Sequence, residues 1–159
     1  MKKYLIAIVV ASIFSGPALA YDKALAESYE KFFSAFEEKN VPKASRRIPA
    51  DKVVEMIKKG DDLVIIDVRT RKEQSVLGVT YEHTLQMAMN EIFQEENLRH
   101  IPTDKKVILT CKAGLRCAIM AIALHHVGFD NMYSMKGGIT AMNHYLSDKT
   151  AFSPPPKNP

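Results

Sequence analysis

The sequence predicts an α/β domain in which a mainly parallel sheet is flanked by helices. Residues 63–67 (LVIID) form a continuous, largely β-branched apolar run, which is typical of a parallel strand buried on both faces. Residues 106–111 (KVILTC) repeat this pattern. Segments with helical spacing of apolar residues alternate with these strands, and this alternation is typical of a parallel sheet whose crossovers are helices.

Residues 1–20 predict a signal peptide. Lys2 and Lys3 give a positive start, and the apolar run that follows is too short to span a bilayer comfortably. The Ala-Leu-Ala sequence at 18–20 fits the small-residue cleavage pattern. We therefore expect an exported protein, most simply in a bacterial periplasm, with no membrane contact after cleavage.

Residues 21–44 predict an N-terminal amphipathic helix, over 24–39, and a linker. The aromatic side chains of the helix recur at helical spacing between charged residues, so we expect it to lie over the following domain. The domain itself is predicted over 45–148, and its first helix begins near Pro49 and stops at Gly60. The proline-rich tail at 149–159 cannot hold a helix and is expected to be flexible.

The second half of the domain continues the alternation of strands and helices. Residues 80–97 place Leu85, Met89, Ile92 and Phe93 at helical spacing, which predicts a helix. The remaining predicted elements are a helix over 116–127 closed by Gly128, a strand over 131–135, a turn at 137–138 and a last helix over 139–146.

Both cysteines of the chain lie in LTCKAGLRCA, residues 109–118. Cys111 stands at the end of a predicted strand, where parallel sheets bind their ligands. The backbone N–H groups before the next helix can form a cup for an anion, and Gly114 permits the turn that this requires. A helix N-terminus with the nearby cations Lys112 and Arg116 lowers a cysteine pKa to about 3.5–7.5, so Cys111 is predicted to be a thiolate nucleophile.

Three segments carry a family resemblance in the family's order. CKAGLR (111–116) resembles the active-site loop of the rhodanese-like domain family, in which a cysteine is followed by four residues and an arginine. LVIIDVRTRKE (63–73) is similar to its first long strand and Asp-Val-Arg signature, and GFDNMYSMKGGITAM (128–142) resembles its closing strand and Gly-Gly-helix segment. The resemblance covers about 47–146 and implies a three-layer rhodanese-like fold.

The activity that this resemblance implies is sulfur transfer without a cofactor or metal. Cys111 would take the outer sulfur of thiosulfate or another small anionic sulfane donor, and a small-molecule or protein thiol, or cyanide, would remove it. Asp67 and Arg69 are expected to support the fold, and Glu73 to orient Arg116. The implied catalytic residues are Cys111 and Arg116, and the implied substrate-binding residues are Lys112, Ala113, Gly114, Leu115 and Arg116.

Two features depart from the family pattern. The stretch 77–92 (LGVTYEHTLQMAMNEI) lacks the His, Pro and second Gly that often follow the Asp-Val-Arg signature. Cys117 stands where a Ser, Thr or small residue commonly follows the loop arginine. A structural disulfide explains Cys117 poorly, since closing so short a ring contributes only about 2 kcal/mol. Two hypotheses stay open: a resolving thiol that pairs with Cys111, or a small core residue.

Competing functions are less well supported by the sequence. A cysteine-arginine phosphatase carries five residues between Cys and Arg, whereas this loop carries four. A periplasmic thiol-disulfide redox protein using Cys111 and Cys117 is the main alternative, although its usual motif is Cys-x-x-Cys. No histidine pair completes a zinc site with the cysteines, and no basic run interleaved with aromatics predicts nucleic-acid binding. Nothing in the sequence predicts an oligomeric state.

Overall fold

The computed structural model describes residues 20–36, 46–147, 150 and 152. The predicted signal peptide, apart from Ala20, lies outside the described residues, as do most of the predicted linker and tail. Within the described ranges, no helix combines the length and apolar character that crossing a membrane requires.

Eleven helices and strands are found in the described residues. In chain order they are α1 (Lys23–Ser34), β1 (Arg47–Pro49), α2 (Ala50–Lys59), β2 (Leu63–Asp67), α3 (Arg71–Val76), β3 (Thr84–Gln86), α4 (Glu95–Arg99), β4 (Lys106–Thr110), α5 (Leu115–His126), β5 (Met132–Lys136) and α6 (Gly138–Tyr145).

The five strands form one sheet in the order β1-β5-β4-β2-β3, and every neighbouring pair is parallel. The longest pairing joins β2 to β4, from Leu63 opposite Lys106 to Asp67 opposite Thr110. The predicted α/β class and parallel sheet are thus confirmed. Because all strands run the same way, their carboxyl ends meet at one edge of the sheet.

Both faces of the sheet are covered, which makes the domain a three-layer structure. All five residues of β2 are buried, so its alternate side chains enter two separate apolar clusters. The cluster on one face combines strand residues with α5, and includes Val64, Ile66, Leu109, Ala121 and Leu124. The cluster on the other face combines strand residues with α2 and α6, and includes Leu63, Ile65, Ile108, Val53 and Met142.

The N-terminal helix α1 belongs to a separate unit, residues 1–35. The Asp22 carboxylate caps it by accepting from the Leu25 N–H at 3.0 Å, and the Phe32 and Phe33 rings meet edge to face at 5.0 Å. The predicted continuation of this helix through residues 35 and 36 is wrong, because the helix ends at Ser34, and the predicted stretch 37–39 lies outside the described residues. The Ser34 hydroxyl donates to the Lys31 carbonyl at 2.9 Å, a side-chain bond that competes with further helix.

The helix predicted over residues 80–97 is also wrong. The structure has β3 within this segment, then turns, and α4 starts only at Glu95. Pairing with β2 outweighs the helical spacing, since the Ile65 N–H donates to the His83 carbonyl at 2.9 Å and the Met87 N–H to the Asp67 carbonyl at 3.1 Å. Apolar spacing is a weak guide where tertiary pairing decides.

Candidate active site

The loop between β4 and α5 places Cys111 at the carboxyl edge of the sheet. Cys111 directly follows β4 and is only 1% exposed, whereas Lys112 and Ala113 are exposed. The Gly114 N–H donates to the Cys111 Sγ at 3.1 Å. Gly114 has a φ of +96°, and a Cβ on it would lie 2.7 Å from the Gly137 nitrogen. The tight curl of the loop therefore requires glycine here.

Backbone N–H groups at the amino end of α6 bind the carbonyls of the same loop. The Ile139 N–H donates to the Cys111 carbonyl at 2.8 Å, and the Thr140 N–H to the Lys112 carbonyl at 3.1 Å. Gly138 lies so close that a Cβ on it would be 2.2 Å from the Cys111 carbonyl oxygen. Because α6 binds these two carbonyls, the loop can direct N–H groups rather than carbonyl oxygens towards the Cys111 sulfur.

Hydrogen bonds to the sulfur lower the pKa of Cys111 from 9.0 to about 5. The Cys117 thiol has the largest effect, and the backbone N–H groups of Cys117, Gly114 and Ala113 add to it, while burial acts in the opposite direction. The Cys117 amide lies in the first turn of α5 and the Gly114 amide at its N-cap, where N–H groups have no partner within the helix. Cys111 is therefore a thiolate at neutral pH.

Cys117 is a buried thiol that keeps its proton. Its Sγ lies 3.3 Å from the Gly114 carbonyl oxygen and 3.5 Å from that of Met135, both of which can accept the proton. The contact with Cys111, together with burial, raises the pKa of Cys117 far above its usual range. Both cysteines lie in the described part of the chain and both are free thiols.

Arg116 is held by Glu73 in a two-bond ion pair, with Nη1 to Oε2 at 2.8 Å and Nη2 to Oε1 at 2.7 Å. Glu73, and to a smaller extent the Cys111 sulfur, raise the pKa of Arg116, so the guanidinium keeps its charge beside the loop. The structure thus pairs the two residues that we expected to interact, although they are 43 positions apart.

The Glu73 carboxylate also takes part in capping helix α3, a role that was not predicted from the sequence. The carboxylate accepts from the Thr70 N–H at 3.0 Å and the Thr70 hydroxyl at 2.8 Å, and Thr70 in turn caps the first turn of α3. The Arg116 and Thr70 bonds keep the pKa of Glu73 well below its usual range. The pattern Thr70-x-x-Glu73 is a capping box and could have predicted the start of α3.

Asp67 and Arg69 form a buried ion pair beside the loop. The carboxylate of Asp67 accepts from the Arg69 backbone N–H and Nε at 3.0 Å and from Nη2 at 2.6 Å, and the side chains are only 1% and 4% exposed. Arg69 also donates to the Leu77 carbonyl at the end of α3. This pair fixes the chain that carries Glu73, and the expected supporting role of both residues stays a prediction.

A cavity of about 450 Å³ lies beside the loop. Lys112 and Lys72 contribute cations to its lining, Glu73 a carboxylate, and Leu77 and Ile139 apolar walls. A larger cavity of about 540 Å³ lies at the opposite edge of the sheet, around Lys105 and Asn131, and contains none of the predicted site residues. Of these two cavities, the one beside the loop is therefore the one that includes a predicted site residue, Lys112.

Comparison with known proteins gives one family. A sequence model of the rhodanese-like domain matches residues 49–144, more than half of the chain. A rhodanese-related protein of Thermoplasma volcanium superposes with a TM-score of 0.53 at 24% identity, over 64% of this chain and 93% of that one. This structural likeness shows the fold alone and confirms the rhodanese-like architecture predicted from the sequence.

Two curated relatives carry names that describe a reaction. The tRNA uridine(34) hydroxylase of Cytophaga hutchinsonii is 33% identical over 85 residues, 52% of this chain and 27% of that protein. The probable adenylyltransferase/sulfurtransferase MoeZ of Mycobacterium tuberculosis is 30% identical over 82 residues, 52% of this chain and 20% of that protein. The chain thus spans about a quarter or less of the length of these relatives. One of the two names includes a sulfurtransferase.

Proposed function

The chain belongs to the rhodanese-like domain family, and from this premise we propose that it is a sulfurtransferase that carries sulfane sulfur as a persulfide on Cys111. The observation that carries the proposal is the buried Cys111 sulfur, which receives the Gly114 N–H at 3.1 Å and has a pKa of about 5. A thiolate with fixed N–H donors around it is both a nucleophile and a site for a second, negatively charged sulfur.

The first half-reaction loads the enzyme. The Cys111 thiolate attacks the outer sulfur of thiosulfate, the S–S bond of thiosulfate breaks, and sulfite leaves with the electron pair. The negative charge then lies on the outer sulfur of the persulfide, which the N–H groups of residues 112–116 would bind. Lys112 is exposed at the mouth of the loop and Arg116 is partly exposed at the start of α5, so both cations favour an anionic donor.

The second half-reaction unloads it. An acceptor thiolate or cyanide attacks the outer sulfur, and the Cys111 thiolate leaves. Because a low pKa makes a thiolate a good leaving group, the same hydrogen bonds that support loading also support unloading. The acceptor must supply the nucleophile, so we assign this step to cyanide or to the thiol of a small molecule or a protein.

We place this activity outside the cytoplasm, in a bacterial periplasm. Support comes from the sequence, in which residues 1–20 combine a basic start, a short apolar run and a small-residue cleavage pattern. The relative MoeZ supports sulfur transfer by name, whereas the hydroxylase name describes a different reaction of a longer protein. Thiosulfate is proposed because the loop lies among cations and is small.

The test uses two variants that each leave one thiol. Reduced protein is freed of reductant under argon, treated with thiosulfate and weighed intact by mass spectrometry. We expect the Cys117→Ser variant, which keeps Cys111, to gain one sulfur atom, and the Cys111→Ser variant to gain none. Thiocyanate should form when cyanide is added to the loaded protein. If neither the unmodified protein nor the Cys117→Ser variant gains sulfur from thiosulfate or forms thiocyanate, the proposed reaction is refuted.

A further inference from the structure

We propose that Cys117 resolves the Cys111 persulfide within the chain, releasing hydrosulfide and forming a Cys111–Cys117 disulfide. This inference rests on the proposed function, because it begins from the persulfide. It adds a second outcome for the bound sulfur, which is reduction to sulfide instead of transfer to an external acceptor.

The two sulfurs share one backbone residue. The Gly114 N–H donates to the Cys111 Sγ at 3.1 Å, and the Gly114 carbonyl accepts from the Cys117 Sγ at 3.3 Å. The influence is also mutual, since the Cys117 thiol lowers the pKa of Cys111 and Cys111 raises that of Cys117. They are the two cysteines of the chain, and both are at most 1% exposed. Cys117 is therefore a thiol already enclosed beside the inner sulfur, whereas an external thiol has to enter from solvent.

The sulfur donor and Cys117 come to the Cys111 sulfur from different sides. A sulfur donor reaches Cys111 from the solvent side of the loop, where Lys112 and Ala113 are exposed, so the outer sulfur is added on that side. Cys117 approaches from the interior, where its Sγ also lies 3.5 Å from the Met135 carbonyl on β5. Attack from the interior on the Cys111 sulfur makes the outer sulfur the leaving group.

The step balances without any further reagent. The Cys117 sulfur bonds to the Cys111 Sγ, the bond between that atom and the outer sulfur breaks, and the outer sulfur leaves with the electron pair. The proton of the Cys117 thiol passes to the departing sulfur, which leaves as HS⁻. The two cysteine sulfurs are oxidised to a disulfide, and the sulfane sulfur is reduced to sulfide.

The charge on Cys111 determines when Cys117 can react. While Cys111 is a thiolate, its negative charge beside Cys117 keeps the proton on Cys117, as the raised pKa of Cys117 reflects. Once Cys111 carries sulfur, the negative charge lies on the outer sulfur, farther from Cys117. The Cys117 thiol then loses its proton more easily. Resolution therefore follows loading and does not compete with it.

The experiment follows mass and sulfide together, in sealed oxygen-free vessels with thiosulfate and no other thiol. For the unmodified sequence we expect a transient gain of one sulfur atom, then a loss of two hydrogens relative to the reduced protein, with one sulfide released per chain. The Cys117→Ser variant should keep the added sulfur and release no sulfide. Cys117→Ala, which lacks the hydroxyl, serves as a second variant, and circular dichroism checks that both fold.

Each result decides a different claim. A persulfide that lasts as long in the unmodified protein as in Cys117→Ser, with no sulfide, would overturn the inference and leave the proposed function standing. A disulfide that forms without sulfide would also overturn it. No gain of sulfur in any variant that keeps Cys111 would refute the proposed function itself, and the inference with it.

Discussion

Gly138 is the position where a single added methyl group should disturb the Cys111 loop most. It begins α6 and has a φ of +57°, in the left-handed region. A Cβ at this position would lie 2.2 Å from the Cys111 carbonyl oxygen and 2.9 Å from the carbonyl carbons of Cys111 and Lys112. All three atoms belong to the backbone, so no side-chain rotation can relieve the clash in Gly138→Ala.

The expected loss combines two costs. A left-handed conformation costs a residue with a Cβ about 1–2 kcal/mol, and overpacking typically costs about 1–3 kcal/mol. We therefore expect Gly138→Ala to lower the free energy of unfolding by about 2–5 kcal/mol. The shift that relieves the clash must also lengthen the bond from the Ile139 N–H to the Cys111 carbonyl, now 2.8 Å. Loading of Cys111 should slow as well.

The assay is urea unfolding with Gly60→Ala as the matched control. Gly60 also has a positive φ, +76°, but a Cβ on it would have no atom within 4 Å, so the control carries the conformational cost alone. Thermal melting should give a Tm for Gly138→Ala lower by at least about 8 °C. If the two variants lose the same stability and load sulfur at the same rate, the close packing of Gly138 against the Cys111 loop contributes neither to stability nor to loading.

Three other predictions concern charge. The rate of Cys111 alkylation by iodoacetamide should be constant near neutral pH and fall as the pH drops through about 5, because the thiolate is the reactive form; a midpoint near the ordinary thiol pKa would contradict the hydrogen bonding described. Arg116→Lys keeps the charge but cannot make two parallel bonds to Glu73, so persulfide formation, followed by mass spectrometry, should slow about tenfold. An unchanged rate would exclude a role for the guanidinium geometry. Asp67→Asn leaves a buried arginine without its counter-charge and should lower the free energy of unfolding by about 3–5 kcal/mol. In urea unfolding, Asp62→Asn, which removes an exposed partner, should cost less than about 1 kcal/mol, and equal losses would argue against the buried pair.

The parts of the fold that follow from local sequence were predictable. Strands β2 and β4 are continuous apolar runs because both faces of each are buried, and a run of this kind needs no knowledge of its neighbours. The position of Cys111 beyond a strand end was predictable for the same reason. The glycine stop at Gly60 follows from local backbone geometry, since its φ is +76°.

The parts that depend on distant residues were not predictable in the same way. Strand β3 exists because Ile65 and Asp67 of β2 bond to the residues that flank it, whereas the apolar residues of the longer segment 80–97 have helical spacing. The pairing of Glu73 with Arg116 was expected, but its two-bond geometry was not predictable. Glu73 lies in the helix that follows β2 and Arg116 in the helix that follows β4, so the contact depends on how the sheet brings the two together. Helix α3, in contrast, has a local signal in its capping box, so its start is predictable from the sequence.

The double use of Glu73 joins the local stability of one short helix to the chemistry at the sulfur. Helix α3 has only six residues, and a helix of this length has little stability of its own. When its first turn opens, the carboxylate loses Thr70 and with it the position from which it holds Arg116. The opening free energy of α3, which hydrogen exchange at its amides would report, therefore sets the fraction of molecules in which Glu73 holds the Arg116 guanidinium in place.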